Sequence, residues 1–469
     1  MKQKQPITFF LLLGDIMALY VALGITLLIR YQTALREPWL IHKTPFTVVF
    51  IIWILFFFIA GLYDQSAWTA DRSFRERFIR TMIASTAVAV ILFYLIEAFG
   101  ITPKTNLLIQ AILTVLLILG WRIGANHIIR RSSKTNILFF GISDEVLGLA
   151  HTLKNNPHFG YYVSLLVDDG EKTASLDSSL PIIEFNTTVQ RHIKEKQISL
   201  IVASRDIRSN REFVIMLYEA LPLGIQVVDF PTFYESLTGK IPTSLISEIW
   251  FLENLVGIRK RAYEFSKRFF DIILGIMLGV VFLALLPVII LGILLSTPKD
   301  IWHHKKRRAR KGDGRIFFRQ RRVGKNGKEF DFLKFRSQRL GSEQMSGVKD
   351  MQNDPRVYPF GTFLRMFYLD ELPQIWNVLK GDMSLIGPRP ERPHYVAELR
   401  EKIPFYDMRL LVTPGITGWA QVNMENDASV EDAPQKMQYD LYYIKNRSLV
   451  LDLTIALKTI AVLLSREGR

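Results

Sequence analysis

The chain has no cysteine among its 469 residues. Disulfides and cysteine-ligated metals are therefore excluded, and the composition fits a site facing a reducing cytosol. Acidic residues are outnumbered, 44 Asp and Glu against 59 Lys and Arg, for a formal charge of +15. Such a balance commonly marks nucleic-acid binding or simple solubility. Here the basic residues flank apolar segments, so anionic membrane lipids are the expected partner and no nucleic acid is expected. A signal-peptide cleavage site is also missing: no small-residue pattern follows the first apolar run, which is too long for a leader.

What is present is apolar sequence, crowded into the first 130 positions and again near 270–296. Four early runs, roughly 7–29, 46–63, 81–99 and 106–128, reach the length of about 20 residues that a bilayer crossing needs. Lys2, Lys4, Arg72, Arg75, Arg77, Arg80, Arg122, Arg130, Arg131 and Lys134 fall on one side of them. Only Arg30, Arg36, Lys43 and Lys104 fall on the other. The positive-inside rule then puts both ends of a four-span bundle in the cytoplasm. Asp15 lies inside the first run, as a functional intramembrane acid, a polar helix contact or a snorkelled group.

From 135 the pattern changes. Asn136–Gly141 reads as a buried parallel strand ending in glycine, and 143–154 as a helix. Short β-type runs follow at 161–167, 199–203 and 226–228. This alternation predicts a Rossmann-like α/β domain over 135–235. Dinucleotide binding needs G-x-G-x-x-G, because the backbone must approach a pyrophosphate closely. The loop reads Gly141-Ile142-Ser143-Asp144-Glu145-Val146-Leu147-Gly148. It lacks the second glycine, and two acids would repel phosphate, so a structural or regulatory role is expected. A connector over 236–261 follows.

Ile272 to Ser296 is nearly pure apolar sequence interrupted by Pro287. A fifth span is the simple reading. Proline removes a helix hydrogen bond and disfavours a straight helix. More decisively, both flanks are basic: Lys267 and Arg268 before, then Lys299 and a cluster reaching Lys311. A spanning helix would put the second cluster outside. The expectation is a re-entrant helix at about 265–296 that breaks near Pro287 and returns, approached by a basic amphipathic stretch, Arg259 to Phe270.

The chemistry concentrates between 317 and 452. Asp370 and Glu371 precede a helical pattern of Leu372, Ile375, Trp376 and Leu379. Adjacent acids at a helix start usually reflect a charge preference alone. These have company: Arg365 lies five residues upstream, and Gly387-Pro388-Arg389-Pro390 forms a rigid turn holding one guanidinium. Arginine suits bidentate phosphate contact, and carboxylates beside phosphates usually imply a bridging Mg²⁺. The parts indicate diphosphate handling at a membrane surface and leave hydrolysis and transfer both open.

The stretch from about 262 to 466 resembles the bacterial sugar transferase domain of monotopic phosphoglycosyl transferases. The resemblance is carried by Lys267-Arg268-Phe269-Phe270-Asp271, D-E-L-P-Q at 370–374, N-V-L-K-G-D-M-S at 377–384, G-P-R-P-E at 387–391 and P-G-I-T-G-W-A-Q-V-N at 414–423. The whole chain resembles the large branch, the undecaprenyl-phosphate glycosylphosphotransferases of exopolysaccharide and O-antigen assembly. The expected fold is then an α-helical membrane bundle of four spans over 1–134, the Rossmann-like domain over 135–235, and a mixed α/β catalytic domain with the re-entrant helix over 262–469.

The resemblance implies a UDP-sugar donor, a polyprenyl phosphate acceptor, UMP as leaving group and Mg²⁺ as cofactor. It makes Asp370 the nucleophile that forms a phosphosugar-aspartate, and Glu371 its partner, with both acids as metal ligands. It implies that Arg365 grips phosphate and that Pro388 and Arg389 line the nucleotide side. Lys334, Arg336 and Gln374 are further substrate-binding candidates, and Pro287 is the bend of the membrane helix. The location implied is the bacterial inner membrane, multi-pass, with the catalytic domain cytoplasmic; a homo-oligomer is left open.

The sequence departs from the family at Leu286 before the bend proline, at Gly314-Arg315, at Tyr368, and at Met424-Glu425-Asn426 after V-N. None touches the dyad. The last bears on sugar or nucleotide preference, so no sugar is named. Tyr439-Asp440-Leu441-Tyr442-Tyr443 and an amphipathic 449–464 match the family's tail. Two other functions compete. A nucleotide-sugar dehydratase or epimerase needs an intact glycine loop and a Tyr-x-x-x-Lys pair, here only Tyr263 and Lys267. A non-catalytic scaffold of polysaccharide export would not need the intact acids.

Overall fold

The computed structural model describes residues 4–32, 35–63, 72–96, 104–131, 135–168, 170, 180–186, 188–204, 211–246, 248–254, 260–297, 314–339, 356–424 and 432–465. Lys2, Lys134, Arg259, Glu425, Asn426 and the basic cluster at 299–311 lie outside these residues, as do the side chains of Lys4, Arg130 and Arg131. The chain divides into two compact units, Met1–Thr238 and Gly239–Arg469.

The first unit begins with four long helices: α1 (Lys4–Tyr31), α2 (Arg36–Ile59), α3 (Arg72–Leu95) and α4 (Lys104–Arg131). Their inner faces bury Leu19, Leu23, Phe46, Trp53, Phe78 and Ile118 in one core. Their outer faces leave Leu13, Met17, Ile83, Leu95 and Leu116 exposed, which suits a lipid surrounding. With α10, described below, five helices are long and apolar enough to cross a membrane.

Several polar groups inside the bundle are paired, which suits a hydrocarbon setting. Gln110 donates to the Leu19 carbonyl at 3.1 Å and accepts from Thr26 at 3.2 Å. Trp53 Nε1 donates to the Ser85 carbonyl at 3.1 Å. Asp15 is a polar helix contact: Arg122 on α4 grips it with two bonds, Nε–Oδ1 at 3.1 Å and Nη2–Oδ2 at 2.5 Å. Both side chains are at most 2% exposed, and the Tyr63 and Phe74 rings face the guanidinium.

The same unit holds a five-stranded sheet in the order β3-β2-β1-β4-β5, parallel throughout. The strands are β1 (Thr135–Phe140), β2 (Tyr161–Asp168), β3 (Ile182–Glu184), β4 (Leu200–Ala203) and β5 (Gln226–Asp229). The helices are α5 (Asp144–Asn155), α6 (Thr188–Glu195), α7 (Arg211–Ala220) and α8 (Phe230–Thr238). The apolar runs of β1, β2 and β4 bury nearly every residue, as parallel strands covered on both faces do. Gly141 takes a φ of 83°, which turns the chain from β1 toward α5. The start of α5 is capped by Ser143, whose Oγ accepts from the Val146 amide, and carries Asp144 and Glu145 in its first turn.

The second unit opens with α9 (Glu248–Asn254) and α10 (Arg261–Ser296). At 36 residues α10 is roughly 54 Å long. The break expected at Pro287 does not interrupt it: the helix is continuous from Arg261 to Ser296. One missing amide removes one bond, whereas unwinding would leave several backbone groups without partners among apolar side chains.

Next come a hairpin, β6 (Phe317–Val323) and β7 (Glu329–Phe335), then α11 (Pro359–Met366), α12 (Gln374–Lys380), β8 (Ser384–Ile386) and α13 (Pro393–Lys402). β9 (Gly415–Thr417), α14 (Trp419–Asn423), α15 (Ala433–Asn446) and α16 (Leu449–Ser465) complete the unit, with β8 and β9 parallel.

Both ends of α10 are fastened to this unit. Near its start, Arg268 donates to the Val378 and Leu379 carbonyls at 2.6 and 2.7 Å, satisfying the end of α12. One turn on, Asp271 accepts from the Ser384 hydroxyl and the Leu385 amide, both at 3.0 Å. Near its end, Ile289 and Ile293 pack with Phe335 and Leu364. Thr297 accepts from Arg336 at 2.7 Å. Between these anchors Ile276, Met277, Val280, Leu283 and Val288 are exposed.

Candidate active site

The two acids stand on a single turn of 3₁₀ helix, Leu369–Glu371, between α11 and α12. Tyr368 opens that turn in the left-handed region, at φ 53°. A non-glycine residue there is uncommon and is kept only when its surroundings over-determine it. The turn buries Asp370 to 6% exposure.

Lys334 reaches the turn from β7. Its Nζ is 2.6 Å from Glu371 Oε1 and 3.8 Å from Asp370 Oδ2. Arg389 arrives from the turn after β8, with Nη2 at 3.1 Å from the same Glu371 oxygen. Arg365, in the last turn of α11, donates to Ser337 Oγ at 3.2 Å and acts electrostatically on Asp370. Three cations therefore face two carboxylates.

The acids differ in ionisation. Burial pushes the Asp370 carboxyl above its ordinary 3.8; Lys334 moderates the rise and the charge on Glu371 adds to it. Burial opposes ionisation of Glu371 as well, but Lys334 and Arg389 outweigh it and hold that carboxyl well below the usual glutamate range. Glu371 is thus a fixed anion between two cations, and Asp370 is a buried acid whose charge is poorly compensated.

The G-P-R-P and P-G-I-T-G motifs meet backbone to backbone. A Cβ on Gly387 would overlap the Thr413 carbonyl, and one on Gly415 the Gly387 amide. The Pro388 carbonyl accepts from the Gly415 amide at 2.9 Å. Glycine is required at both positions for this approach, which fixes the turn bearing Arg389.

The structure thus brings Asp370, Glu371, Lys334, Arg365 and Arg389 together. Arg336 lies elsewhere: it is buried, donates to Thr297 at the end of α10, and accepts at its carbonyl from the Tyr358 hydroxyl. Gln374, the first residue of α12, is fully buried, and neither atom of its amide makes a hydrogen bond to a described residue. Pro287 sits within α10. Tyr263 and Lys267 both donate to Asp452 Oδ2, at 2.8 and 3.1 Å, and tie α10 to α16. Arg409 and Lys436 fall in no motif of the sequence, and Asp440 appears there only within the Tyr439–Tyr443 stretch that matches the family's tail. All three are buried charged side chains behind the Arg389 turn.

Residues 310–466 match the family model described as "Bacterial sugar transferase". The chain is 39% identical over 236 residues to a UDP-N-acetylgalactosamine-undecaprenyl-phosphate N-acetylgalactosaminephosphotransferase of Aeromonas hydrophila, covering 50% of this chain and 51% of that protein. It is 30% identical over 348 residues to a UDP-glucose:undecaprenyl-phosphate glucose-1-phosphate transferase of Xanthomonas campestris pv. campestris, covering 71% and 67%. It is 33% identical over 243 residues to the exopolysaccharide production protein ExoY of Sinorhizobium fredii, covering 48% and 98%. The match therefore spans about half the length of the Aeromonas protein and most of the other two.

Proposed function

The chain belongs to the bacterial sugar transferase family, and from that premise we propose that it moves a sugar-1-phosphate from a UDP-sugar to undecaprenyl phosphate, releasing UMP. The observation that carries the reading is the pair of neighbouring acids in opposite electrostatic states. Glu371 is locked between Lys334 and Arg389, and Asp370 is buried beside them with a raised pKa.

Asp370, once ionised, attacks the β-phosphorus of the donor. An Asp–O–P bond forms, the bond from that phosphorus to the bridging diphosphate oxygen breaks, and UMP leaves with the electron pair. An oxygen of the lipid phosphate then attacks the same phosphorus. The aspartyl bond breaks, Asp370 is regenerated, and the product is the polyprenyl-diphosphate-sugar. Lys334, Arg365 and Arg389 supply positive charge along the diphosphate. Burial withholds water from the aspartyl phosphate, which favours transfer over hydrolysis.

Among the described residues no three His, Asp or Glu side chains gather as a self-contained metal site. The donor set still suits Mg²⁺, which takes one or two carboxylates together with substrate phosphate oxygens. Asp370 and the second oxygen of Glu371 would hold it, its Oε1 being occupied by Lys334 and Arg389. When bound, Mg²⁺ offsets charge developing on the diphosphate.

We place the enzyme in the bacterial inner membrane as a multi-pass protein with its catalytic unit cytoplasmic. The basic flanks of the first four spans support this. So do the two anchored ends of α10, since a helix crossing a core of about 30 Å would carry one end away from the unit that holds the other. With both of its ends held to the catalytic unit, α10 would keep the dyad at headgroup depth, where the acceptor phosphate resides.

The test is the purified full chain with Mg²⁺, undecaprenyl phosphate and a panel of UDP-sugars. UMP release matched by lipid-linked phosphosugar is expected with at least one donor. Omitting the acceptor and using a donor labelled in its β-phosphate should leave label on the polypeptide. A dehydrated or epimerised nucleotide sugar, or no turnover with any donor, overturns the reading.

A further inference from the structure

Arg389 projects from a turn flanked by Pro388 and Pro390, and neither proline has an amide with which to brace it. The turn is held instead through its carbonyls, four in succession. Pro388 O accepts from the Gly415 amide at 2.9 Å. Arg389 O accepts from Arg409 Nη2 at 2.9 Å. Pro390 O accepts from Arg322 Nη1 at 2.9 Å. Glu391 O accepts from the Val323 amide at 2.9 Å.

Of the two guanidinium donors Arg409 is the buried one, at 5% exposure, and it is itself fixed on two further sides. Its Nη1 donates to the Tyr406 hydroxyl at 2.6 Å, and Nη2 lies 2.9 Å from Asp440 Oδ2. Lys436 and Glu391 complete the neighbourhood, paired at 2.7 Å. A guanidinium can serve a carbonyl, a hydroxyl and a carboxylate at once from one rigid fork; an ammonium at the same place cannot.

We propose that Arg409 is a positioning residue. Its fork holds the Arg389 carbonyl in place, so that the Arg389 guanidinium stays on Glu371 and over the donor diphosphate. The inference rests on the proposed transfer reaction and assigns a role to a side chain that touches no substrate. It implies that Arg409 acts through Arg389 and has no separate effect on turnover.

A double-mutant cycle tests this, because residues acting in series are not additive. Arg409→Lys, Arg389→Lys and the double variant are compared with the natural chain as full-length protein in lipid nanodiscs. The readout is kcat/KM for the UDP-sugar. Arg409→Lys is expected to lower kcat/KM about tenfold, a usual scale for a slightly misplaced catalytic group. The double variant should be no slower than Arg389→Lys alone, within about twofold. Multiplying effects would overturn the proposal, as would full activity in Arg409→Lys. If Arg409→Lys does not accumulate, Tyr406→Phe loosens the same fork and enters the cycle in its place, with the same two outcomes. A natural chain that makes no lipid product overturns the reaction itself, which separates that failure from failure of the positioning role.

Discussion

Replacing Asp370 by asparagine removes a charge that burial disfavours while preserving shape. The variant should lose transfer below detection, yet unfold at a higher temperature, with a gain of about 1 kcal/mol typical of active-site strain relieved. Product assay and thermal scan together check this. Appreciable transfer by the variant would remove Asp370 as nucleophile. The pH dependence follows from the two shifts. The proposed attack needs Asp370 ionised, so activity should fall as pH drops through its raised pKa, above the ordinary 3.8. Glu371 contributes the opposite way to stability. Its depressed carboxyl gives stabilisation that is complete above the ordinary 4.5 and is lost as pH falls toward its folded value. Lys334→Met removes a cation from both acids. It should lower kcat about a hundredfold and move the acid limb of the activity profile to higher pH, read from rates between pH 5 and 9. An unmoved limb would mean that Lys334 does not set the ionisation of Asp370.

At the scale of elements, the bundle depends on pairing that no local pattern announces. Asp15 and Arg122 are 107 positions apart. Asp15→Asn would leave Arg122 buried without its counter-charge, a loss of about 3–5 kcal/mol. Asp15→Leu with Arg122→Met should cost less than Asp15→Asn alone, measured by denaturant unfolding in detergent. A double variant weaker than the single would contradict this account. The same distinction explains which parts of the fold were legible in sequence. The four long helices announced themselves by apolar length, and β1, β2 and β4 by short apolar runs closed by glycine or polar residues. β3 has only three residues at a sheet edge and carried no such signal. Pro287 predicts a break on sequence grounds, because one lost bond is visible there and what replaces it is not. In the site, D-E-L-P-Q and G-P-R-P marked Asp370, Glu371 and Arg389. The burial of Arg409 with Asp440, and of Arg336 against Thr297, is created only by long-range packing.

For the whole molecule, sidedness is the property to measure. A reporter fused after Arg469 should be cytoplasmic, the same side as one fused before Met1, when fluorescence and periplasmic phosphatase reporters are compared. A periplasmic signal at the C-terminal fusion would turn α10 into a fifth span and move the dyad to the wrong compartment for a cytosolic nucleotide sugar. The anchored ends of α10 carry one more implication. On the proposed topology, an enzyme tethered to a single leaflet takes its carrier lipid from that leaflet and returns it there, now burdened with a bulky, charged cargo that hydrocarbon excludes. On that reading, any glycan destined for the cell exterior would have to be turned over to the other leaflet after this step.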